Sequence, residues 1–527
     1  MIRVAVIGSG PAGLACARAL IRRGLRPVLL DVGETLPPHR QAVVDRMAQS
    51  EPAQWAEADR DAVMANPTIA KRVPKKLVFG SDFHFARERV FNPMRADEEL
   101  PCNTFARGGY STAWGAAALP AHDDDLSDWP VKRADLESSY RRVLADFPMS
   151  AEQDDLESVF PLFKDTVLPL PLSVDAQAFL ADFRKAAGTG PDESAVAGQA
   201  RLLVDATACR RCGLCLSGCV YGAIASLAPE VEKLARTGAI QYRPGSFVLS
   251  VAEREGVADV TFERVATGER ETLTFDYVFI AAGAIQSTRI VLASLKAFDR
   301  TLRMKDSQKF ILPLLRRTRY PLAWPDNIAL SSIFVEFKVP AVSNHWIHAQ
   351  ISSVNDFILR RLGVSLWGSG WRRTALAPLY ERLMVAWCGL HSDHSSGIDI
   401  TLKSGAGAAA PILHLTAVSN PHATITARTA ARRFARLAAR SGSFAITPAL
   451  ILGAPGGGNH FGGTMPMREQ PNASLHTDRL GRPQGWHRIH VVDSSILPSI
   501  PGTTLALVQM AIADYIATAT ALEPPRK

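Results

Sequence analysis

Cysteine, long hydrophobic runs and concentrated charge are all scarce in this sequence. Seven cysteines in 527 residues are an odd number and too few for a disulfide framework, so we expect a reducing compartment and a cytoplasmic protein. No uninterrupted apolar stretch reaches the roughly 18 residues that a bilayer-spanning helix needs. The net charge of +8 is spread along the chain instead of forming a basic tail, which argues against a nucleic-acid partner. The composition predicts a globular chain of roughly two to four domain-sized units.

One segment departs from this even distribution of charge. In residues 357–373, FILRRLGVSLWGSGWRR, apolar and tryptophan residues alternate with paired arginines. Such a pattern is typical of an amphipathic segment on a surface. It is either an ordinary exposed face of a domain or a contact with a membrane surface or an anionic, lipid-linked substrate, so peripheral membrane contact is one expectation.

The N-terminal residues have the pattern of a dinucleotide-binding loop. Residues 2–7, IRVAVI, are predicted to form a buried strand and not an export signal, because Gly8, Gly10 and Gly13 follow at once in the G-x-G-x-x-G spacing. The first glycine permits a tight turn, the second lets the backbone approach a pyrophosphate, and the third allows close helix packing. Asp31 ends the next apolar run, eighteen residues beyond the third glycine, where an acid would bind ribose hydroxyls.

Sequence elsewhere in the chain distinguishes FAD from NAD. The relevant stretches are ARGGYSTAWGAAALP (106–120), DYVFIAAGAIQSTRIVLAS (276–294), NHFGGTMPM (459–467) and LGRPQGWHRIHVVDSSILPSIPGTTLALVQMAIADYIA (480–517). In order and approximate spacing they resemble the signatures of the glucose-methanol-choline (GMC) oxidoreductases. The resemblance implies an FAD-dependent enzyme of the α/β class, in which a Rossmann-like FAD-binding domain carries an inserted, sheet-containing substrate domain.

The same resemblance assigns individual residues to the flavin. Gly108, Gly109 and Ser111 would lie beside the flavin ring, and Asp493 would hold the ribityl or pyrophosphate region. The alternative for Asp493 is an ordinary turn residue at the end of a strand.

His460 stands where the family has its catalytic base. Oxidation of an alcohol by hydride transfer requires removal of the hydroxyl proton, and a positioned histidine typically contributes about two to four orders of magnitude. The family's second polar partner, asparagine or histidine, would fall at Thr504, which can hydrogen-bond a substrate oxygen but cannot act as a second base. Either Thr503 or Thr504 orients the substrate, or a residue from the middle of the chain, such as His391 or His394, completes the site.

The spacing of His391 and His394 also suggests a metal site. No carboxylate or cysteine stands at a convincing ligand spacing beside them in the sequence. A substrate contact or an ordinary packing role is therefore the interpretation we favour.

The flavin signatures predict a discontinuous domain organisation. We expect the FAD-binding domain to comprise residues 1–145, 225–300 and 455–527, with a cover segment at 146–224 that carries the cysteine loop. The substrate-binding domain would be 301–454. Strand-like runs within it lie at 333–342, 345–354 and 397–402.

A cysteine run in the middle of the chain follows the spacing C-x2-C-x2-C-x3-C of bacterial ferredoxins. Its members are Cys209, Cys212, Cys215 and Cys219. The spacing favours a [4Fe–4S] cluster, because zinc sites usually separate two ligand pairs and disulfides conflict with a reducing compartment. A metal-free structural turn stays open as an alternative. In two-cluster ferredoxins the fourth cysteine binds the other cluster, so the fourth ligand is Cys219 itself or a remote residue, Cys102 or Cys388.

These features lead to three functional hypotheses. The first is an FAD-dependent dehydrogenase that oxidises the hydroxyl of a sugar or sugar-bearing compound and passes electrons through the cluster to a carrier protein or quinone. The second is an oxygen-using alcohol or sterol oxidase with a metal-free cysteine turn. The third is a non-catalytic flavin-fold partner protein, suggested by threonine at position 504.

Overall fold

The computed structural model describes residues 2–64, 77–86, 88, 101, 103–187, 195–321, 328–355, 358–359, 371–405 and 411–523. Cys102 and most of the arginine- and tryptophan-containing segment 357–373 lie outside the described residues. Within the described part of the chain, no helix is long and apolar enough to cross a membrane.

Strands and helices alternate along the chain in an α/β arrangement. The strands are β1 (Val4–Ile7), β2 (Val28–Leu30), β3 (Ala195–Gln199), β4 (Gln241–Arg243), β5 (Ser246–Arg254), β6 (Val257–Arg264), β7 (Arg270–Phe275), β8 (Tyr277–Ile280), β9 (Thr301–Asp306), β10 (Lys309–Arg316), β11 (Ile333–Val339), β12 (Ser343–Ser353), β13 (Leu383–Gly389), β14 (Gly397–Lys403), β15 (Ile412–Val418), β16 (Ser443–Ala445), β17 (Ile451–Leu452), β18 (Phe461–Gly462) and β19 (Ile489–Val491). The helices are α1 (Pro11–Arg22), α2 (Pro38–Ala48), α3 (Glu57–Met64), α4 (Arg133–Ala145), α5 (Val174–Ala187), α6 (Ala228–Arg236), α7 (Ala284–Ser294), α8 (Trp371–Tyr380), α9 (Ala423–Arg440) and α10 (Ala506–Ala519).

A parallel sheet forms the first core, as the N-terminal pattern predicts. Its strand order is β19-β8-β1-β2-β4, and each neighbouring pair is parallel. β1, β8 and β19 are buried at every position, as expected for a parallel sheet covered on both faces. Helix α1 packs against α10 beside this sheet. The strands come from all three stretches expected to form the FAD-binding domain, which brings distant parts of the sequence to one edge.

An antiparallel sheet forms the second core. It has the strand order β16-β10-β13-β12-β11-β3, with β17 paired to β10. Phe179 of α5 and Phe434 of α9 are fully buried against one face of the sheet, and burying such a side chain contributes about 1.5–3 kcal/mol. The predicted strand runs at 333–342 and 345–354 are confirmed as β11 and β12. β3 comes from the expected cover segment, so that segment supplies an edge strand to the antiparallel sheet of the second core.

A smaller antiparallel sheet, with the order β15-β14-β9-β18, packs on the first core. The predicted run at 397–402 is β14. β18 pairs with the end of β9, and the Ser307 N–H donates to the carbonyl of His460 at 2.9 Å. The backbone of His460 is thereby fixed by the segment that leads into the antiparallel sheet.

Candidate active site

A cavity of about 430 Å³ lies at the carboxyl ends of the parallel strands. Its wall includes the residues that follow β1, β2 and β8, and it extends to His460 near β18. In open α/β sheets, ligands bind in the crevice at this edge. The cavity is therefore where the sequence motifs would place a dinucleotide.

The glycine loop after β1 is shaped for a close backbone approach. Gly8 has φ +98°, and a Cβ there would stand 2.5 Å from the carbonyl oxygen of Ala281. A Cβ on Gly13 would stand 2.0 Å from the carbonyl oxygen of Gly8, and one on Gly109 would stand 2.9 Å from Cα of Gly10. The loop after β1 packs directly against the backbone of the loops that contain Ala281 and Gly109. Only glycine has room for this close approach.

Helix α1 begins at this loop, and no side chain in the described residues caps the backbone N–H groups of its first turn. Its N-cap is Gly10, and Pro11 is its first residue. Gly10, Pro11 and Ala12 all line the cavity. Backbone N–H groups at such a helix start bind phosphate oxygens, so the residues present fit the pyrophosphate of FAD.

Asp31 lines the cavity, as its sequence position predicts. Its Oδ2 accepts hydrogen bonds from the hydroxyls of Ser9 and Tyr242. Burial raises the pKa of Asp31 to about 6, although these two hydrogen bonds and Arg107 oppose the increase. An acid in this position accepts hydrogen bonds from ribose hydroxyls in its ionised form.

FAD binding should therefore weaken as the pH falls through about 6. Ribose hydroxyls donate to the ionised carboxylate, so protonation of Asp31 competes with binding, and the affinity should fall by up to about tenfold per pH unit below that pKa. Titration of flavin-free protein with FAD at pH 5 to 8 measures this. We expect Asp31→Asn to bind FAD more weakly with a flat pH profile, and exposed Asp45→Asn to behave as wild type. A pH slope that persists in Asp31→Asn would contradict the assignment.

The residues carried over from the second flavin signature divide into two groups. Gly109 lines the cavity. Gly108 and Ser111 do not belong to its lining: the Ser111 hydroxyl donates to the Gly108 carbonyl at 2.6 Å and accepts from the N–H of Leu227 at 3.0 Å. These two residues hold the loop in shape behind the cavity wall.

Asp493 also lines the cavity but is bonded mainly to the chain itself. Its Oδ2 accepts from the N–H of Gly283 at 2.8 Å and from the Ser287 hydroxyl at 2.5 Å. Its Oδ1 accepts from the N–H and the hydroxyl of Ser495. Asp493 therefore fixes the start of α7 beside the cavity, and any contact with a cofactor is additional to this role.

His460 lines the same cavity as the glycine loop. Burial lowers its pKa well below the usual value, and Lys309 and His348 lower it further, while a hydrogen bond to the Thr503 backbone opposes them. Nδ1 of His460 is buried and has no hydrogen-bond partner among the described residues. The ring is consequently neutral at physiological pH and able to accept a proton.

A row of polar residues on the antiparallel sheet lies behind His460. Lys309, Gly389, His348 and Glu336 occupy directly paired positions on β10, β13, β12 and β11. Their neighbours in sequence belong to the hydrophobic cluster under α5 and α9, so the row faces the opposite side. The sequence prediction missed these residues. The detectable signal was a charged residue within an apolar strand run, as in IFVEFKV.

The members of this row contact one another and the loop that follows Pro501. Nδ1 of His348 lies 2.5 Å from Oε1 of Glu336, and both side chains are buried. Lys309 Nζ donates to the hydroxyl of Ser307 at 3.2 Å and to the carbonyl of Gly502 at 3.4 Å. A Cβ on Gly389 would stand 2.2 Å from the Gly502 carbonyl oxygen, so a glycine here allows the loop to rest on the sheet.

The two threonines expected beside His460 have different environments. The Thr504 hydroxyl accepts from the N–H of Leu119 at 2.8 Å and donates to the Leu119 carbonyl at 3.3 Å. It is used for backbone contacts and is not part of the cavity wall, which corrects the expectation that it orients a substrate. The Thr503 hydroxyl is buried without a partner in the described structure, and the Thr503 backbone bonds His460.

His391 and His394 do not line this cavity. His394 ends a short 3₁₀ helix, Ser392–His394, that follows β13, and His391 is the N-cap residue of that helix. His391 is buried and His394 is half-buried. The expectation that these histidines contact the substrate is therefore not supported by their position.

The cysteine run folds around a small, mostly apolar cavity of its own, of about 20 Å³. Cys209, Cys212, Cys215 and Cys219 all line it, and all are free thiols. Among the described residues, no three of these sulfurs lie within 4.8 Å of one another. Cys388 is buried in the second core, under the antiparallel sheet that contains β13, and does not line this cavity.

Comparison with family models and with curated proteins gives no match. Among solved structures, the chain is similar to the crystal structure of pyridoxine 4-oxidase from Mesorbium loti. The sequence identity is 14%, the TM-score is 0.59, and 98% of each chain is covered. At this identity the likeness establishes the fold alone. It confirms the predicted architecture, a Rossmann-like α/β domain with an inserted sheet-containing domain, along almost the whole chain.

Proposed function

We propose that this protein is an FAD-dependent oxidoreductase that acts on the CH–OH group of an alcohol, a sugar or a sugar-bearing compound. One observation supports this above the others: a glycine loop fitted to a pyrophosphate and a histidine whose pKa is lowered by burial line the same cavity. When bound, the isoalloxazine ring of FAD would accept the hydride that leaves the carbinol carbon.

His460 would take the hydroxyl proton. A base must be unprotonated at the working pH, and burial together with the cationic Lys309 keeps the pKa of His460 low. The hydrogen bond to the Thr503 backbone would hold the ring in one orientation. The Thr503 hydroxyl, like that of Thr504, does not line the cavity, so we assign it no contact with the substrate.

Lys309→Met should raise the pH at which His460 becomes unprotonated. Removing a neighbouring positive charge stabilises the protonated imidazole, so the acid limb of the pH profile for flavin reduction should move up by as much as about one pH unit. Stopped-flow measurement of flavin reduction against pH tests this. Lys403→Met, at an exposed position paired with Asp299, is the matched control. An unmoved acid limb in Lys309→Met would show that the lysine does not act on His460.

We further propose that the cysteine loop binds a [4Fe–4S] cluster that passes electrons to an external carrier protein or quinone. The observation that supports this proposal is the spacing of the four cysteines, which is that of bacterial ferredoxins. All four also line one cavity.

A short series of contacts links the wall of the cysteine cavity to the wall of the larger cavity. Ile224 lines the cysteine cavity, and the carbonyl of the next residue, Ala225, accepts a hydrogen bond at 2.7 Å from the indole of Trp114. Trp114 in turn lines the larger cavity. This proximity supports electron transfer from the flavin site to the cysteine loop.

An anaerobic substrate screen tests the proposed reaction. Protein loaded with FAD is mixed with sugars, sterols, long-chain alcohols and pyridoxine, the last because the structural neighbour is named a pyridoxine 4-oxidase. Loss of oxidised-flavin absorbance identifies a substrate, and full FAD occupancy without reduction by any of them would favour a non-catalytic flavin-fold protein. Reoxidation by oxygen compared with one-electron acceptors then separates an oxidase from a dehydrogenase.

A further inference from the structure

Three side chains from separate parts of the chain lie close together, beside the loop that precedes Thr503. Asp125 belongs to a short 3₁₀ helix, Asp123–Leu126, His345 lies near the start of β12, and His391 follows β13. One potential ligand atom from each lies within 4.8 Å of the other two. Nδ1 of His345 is 3.2 Å from Oδ1 of Asp125, and the two imidazole rings are stacked with centroids 3.5 Å apart.

Two of these donor groups are buried and unused. Oδ2 of Asp125 and Nε2 of His391 have no hydrogen-bond partner anywhere in the described structure. The side chain of Asp125 is 0% exposed and that of His391 is 2% exposed. A buried carboxylate oxygen and a buried imidazole nitrogen are costly to leave unpaired, so the arrangement indicates a missing partner.

The donor set is typical of a transition-metal site. Two imidazole nitrogens and one carboxylate oxygen bind zinc and similar divalent ions. Oδ2 of Asp393 lies 3.5 Å from Nδ1 of His391 and 3.6 Å from Nε2 of His345. Nδ1 of His391 accepts the N–H of Asp393 at 3.3 Å, so a metal on Nε2 would require the ring proton to move to Nδ1, where this carboxylate can accept it and orient the ring. The ring planes are 14° apart, and a metal lies in the plane of each ring that binds it, so one ring must turn as the ion enters.

We propose that Asp125, His345 and His391 bind a divalent transition-metal ion, and that this ion fastens the loop that precedes Thr503. The N–H of Ser392 donates to the Ile500 carbonyl at 2.9 Å, and the N–H of Ile500 donates to the Ser392 hydroxyl at 3.0 Å. An ion held by His391 would therefore fix this loop from outside the flavin cavity. The role is structural and separate from the redox chemistry.

Cobalt(II) binding to the FAD-loaded protein tests the site. After chelator treatment and dialysis, Co²⁺ alone is added, and bound metal is counted by equilibrium dialysis and elemental analysis. We expect wild type and the neighbouring control His394→Gln to bind one more Co²⁺ per chain than Asp125→Asn or His391→Gln. The absorption spectrum separates this site from the cysteine loop, because thiolate ligands give intense charge-transfer bands and nitrogen and oxygen ligands do not.

Equal metal content in all four proteins would overturn the proposal. It would mean that a protonated His345, bonded to Asp125 and Asp393, stabilises this cluster instead of a metal ion. Circular dichroism and FAD content check that each variant is folded. Should Asp125→Asn lose its fold, His345→Gln repeats the measurement at a side chain that is 18% exposed. Because metal binding is measured without substrate, failure here leaves the oxidoreductase proposal untouched.

Discussion

Replacing His460 by asparagine is expected to lower the rate constant for flavin reduction by about two to four orders of magnitude, the usual contribution of a positioned general base. Asparagine is close to histidine in size and can still hydrogen-bond the Thr503 backbone, so the FAD content should be unchanged. The low pKa that burial and Lys309 impose on His460 means that wild type keeps its free base at neutral pH. Anaerobic stopped-flow mixing with the best substrate of the screen measures the rate constant.

The control for this variant is His422→Asn, an exposed histidine before α9 whose ring has no role in the cavity. It should reduce its flavin at the wild-type rate. A loss of less than tenfold in His460→Asn, with FAD fully retained, would remove His460 as the base. The buried pair His348 and Glu336 would then become the next candidates, because His348 is close enough to lower the pKa of His460.

The second large effect concerns iron. Protein purified without oxygen should contain about four iron atoms and four acid-labile sulfides per chain, and Cys212→Ser with Cys219→Ser should contain less than one. Both positions line the cysteine cavity, and serine is a poor ligand for iron in such clusters. The double variant should still be reduced by substrate but should transfer electrons slowly to one-electron acceptors. Metal analysis and electron paramagnetic resonance of the reduced protein measure the two properties.

Cys16→Ala is the matched control, since Cys16 is buried in α1 within a different hydrophobic cluster. It should keep the full iron content. Wild-type protein with bound flavin and less than one iron per chain would exclude the cluster without any variant. An oxygen-using enzyme with a metal-free cysteine turn would then be the better description.

Short sequence patterns were enough to predict several residues that line the cavity. The glycine loop, Asp31 and His460 were all predicted from the sequence, and the structure places each of them in one cavity. Each is defined by a short segment: a strand followed by a glycine turn, or a histidine before two glycines. Interactions between residues close in sequence determine such segments, so the pattern is readable without the rest of the fold.

The hydrogen bonds of the Thr504 hydroxyl and the position of Lys309 depend on residues that are far away in the sequence. Thr504 bonds Leu119, which is 385 residues away in sequence, and no local pattern reveals that its hydroxyl is already used. Lys309 and His348 face His460 only because β10, β13 and β12 pair in one particular register. A shift of one residue would turn both side chains into the hydrophobic core.

By itself, then, the sequence determined the glycine loop and the four-cysteine spacing, because each follows from chemistry within a short stretch. Its resemblance to family signatures predicted the fold class and singled out His460. Only the tertiary structure decided which polar groups stand behind His460 and that Asp125 meets His345 and His391. Most of those contacts join residues more than a hundred positions apart in the sequence. The pairing of strands and the packing of the two cores set them, and no periodicity or spacing along the chain encodes them.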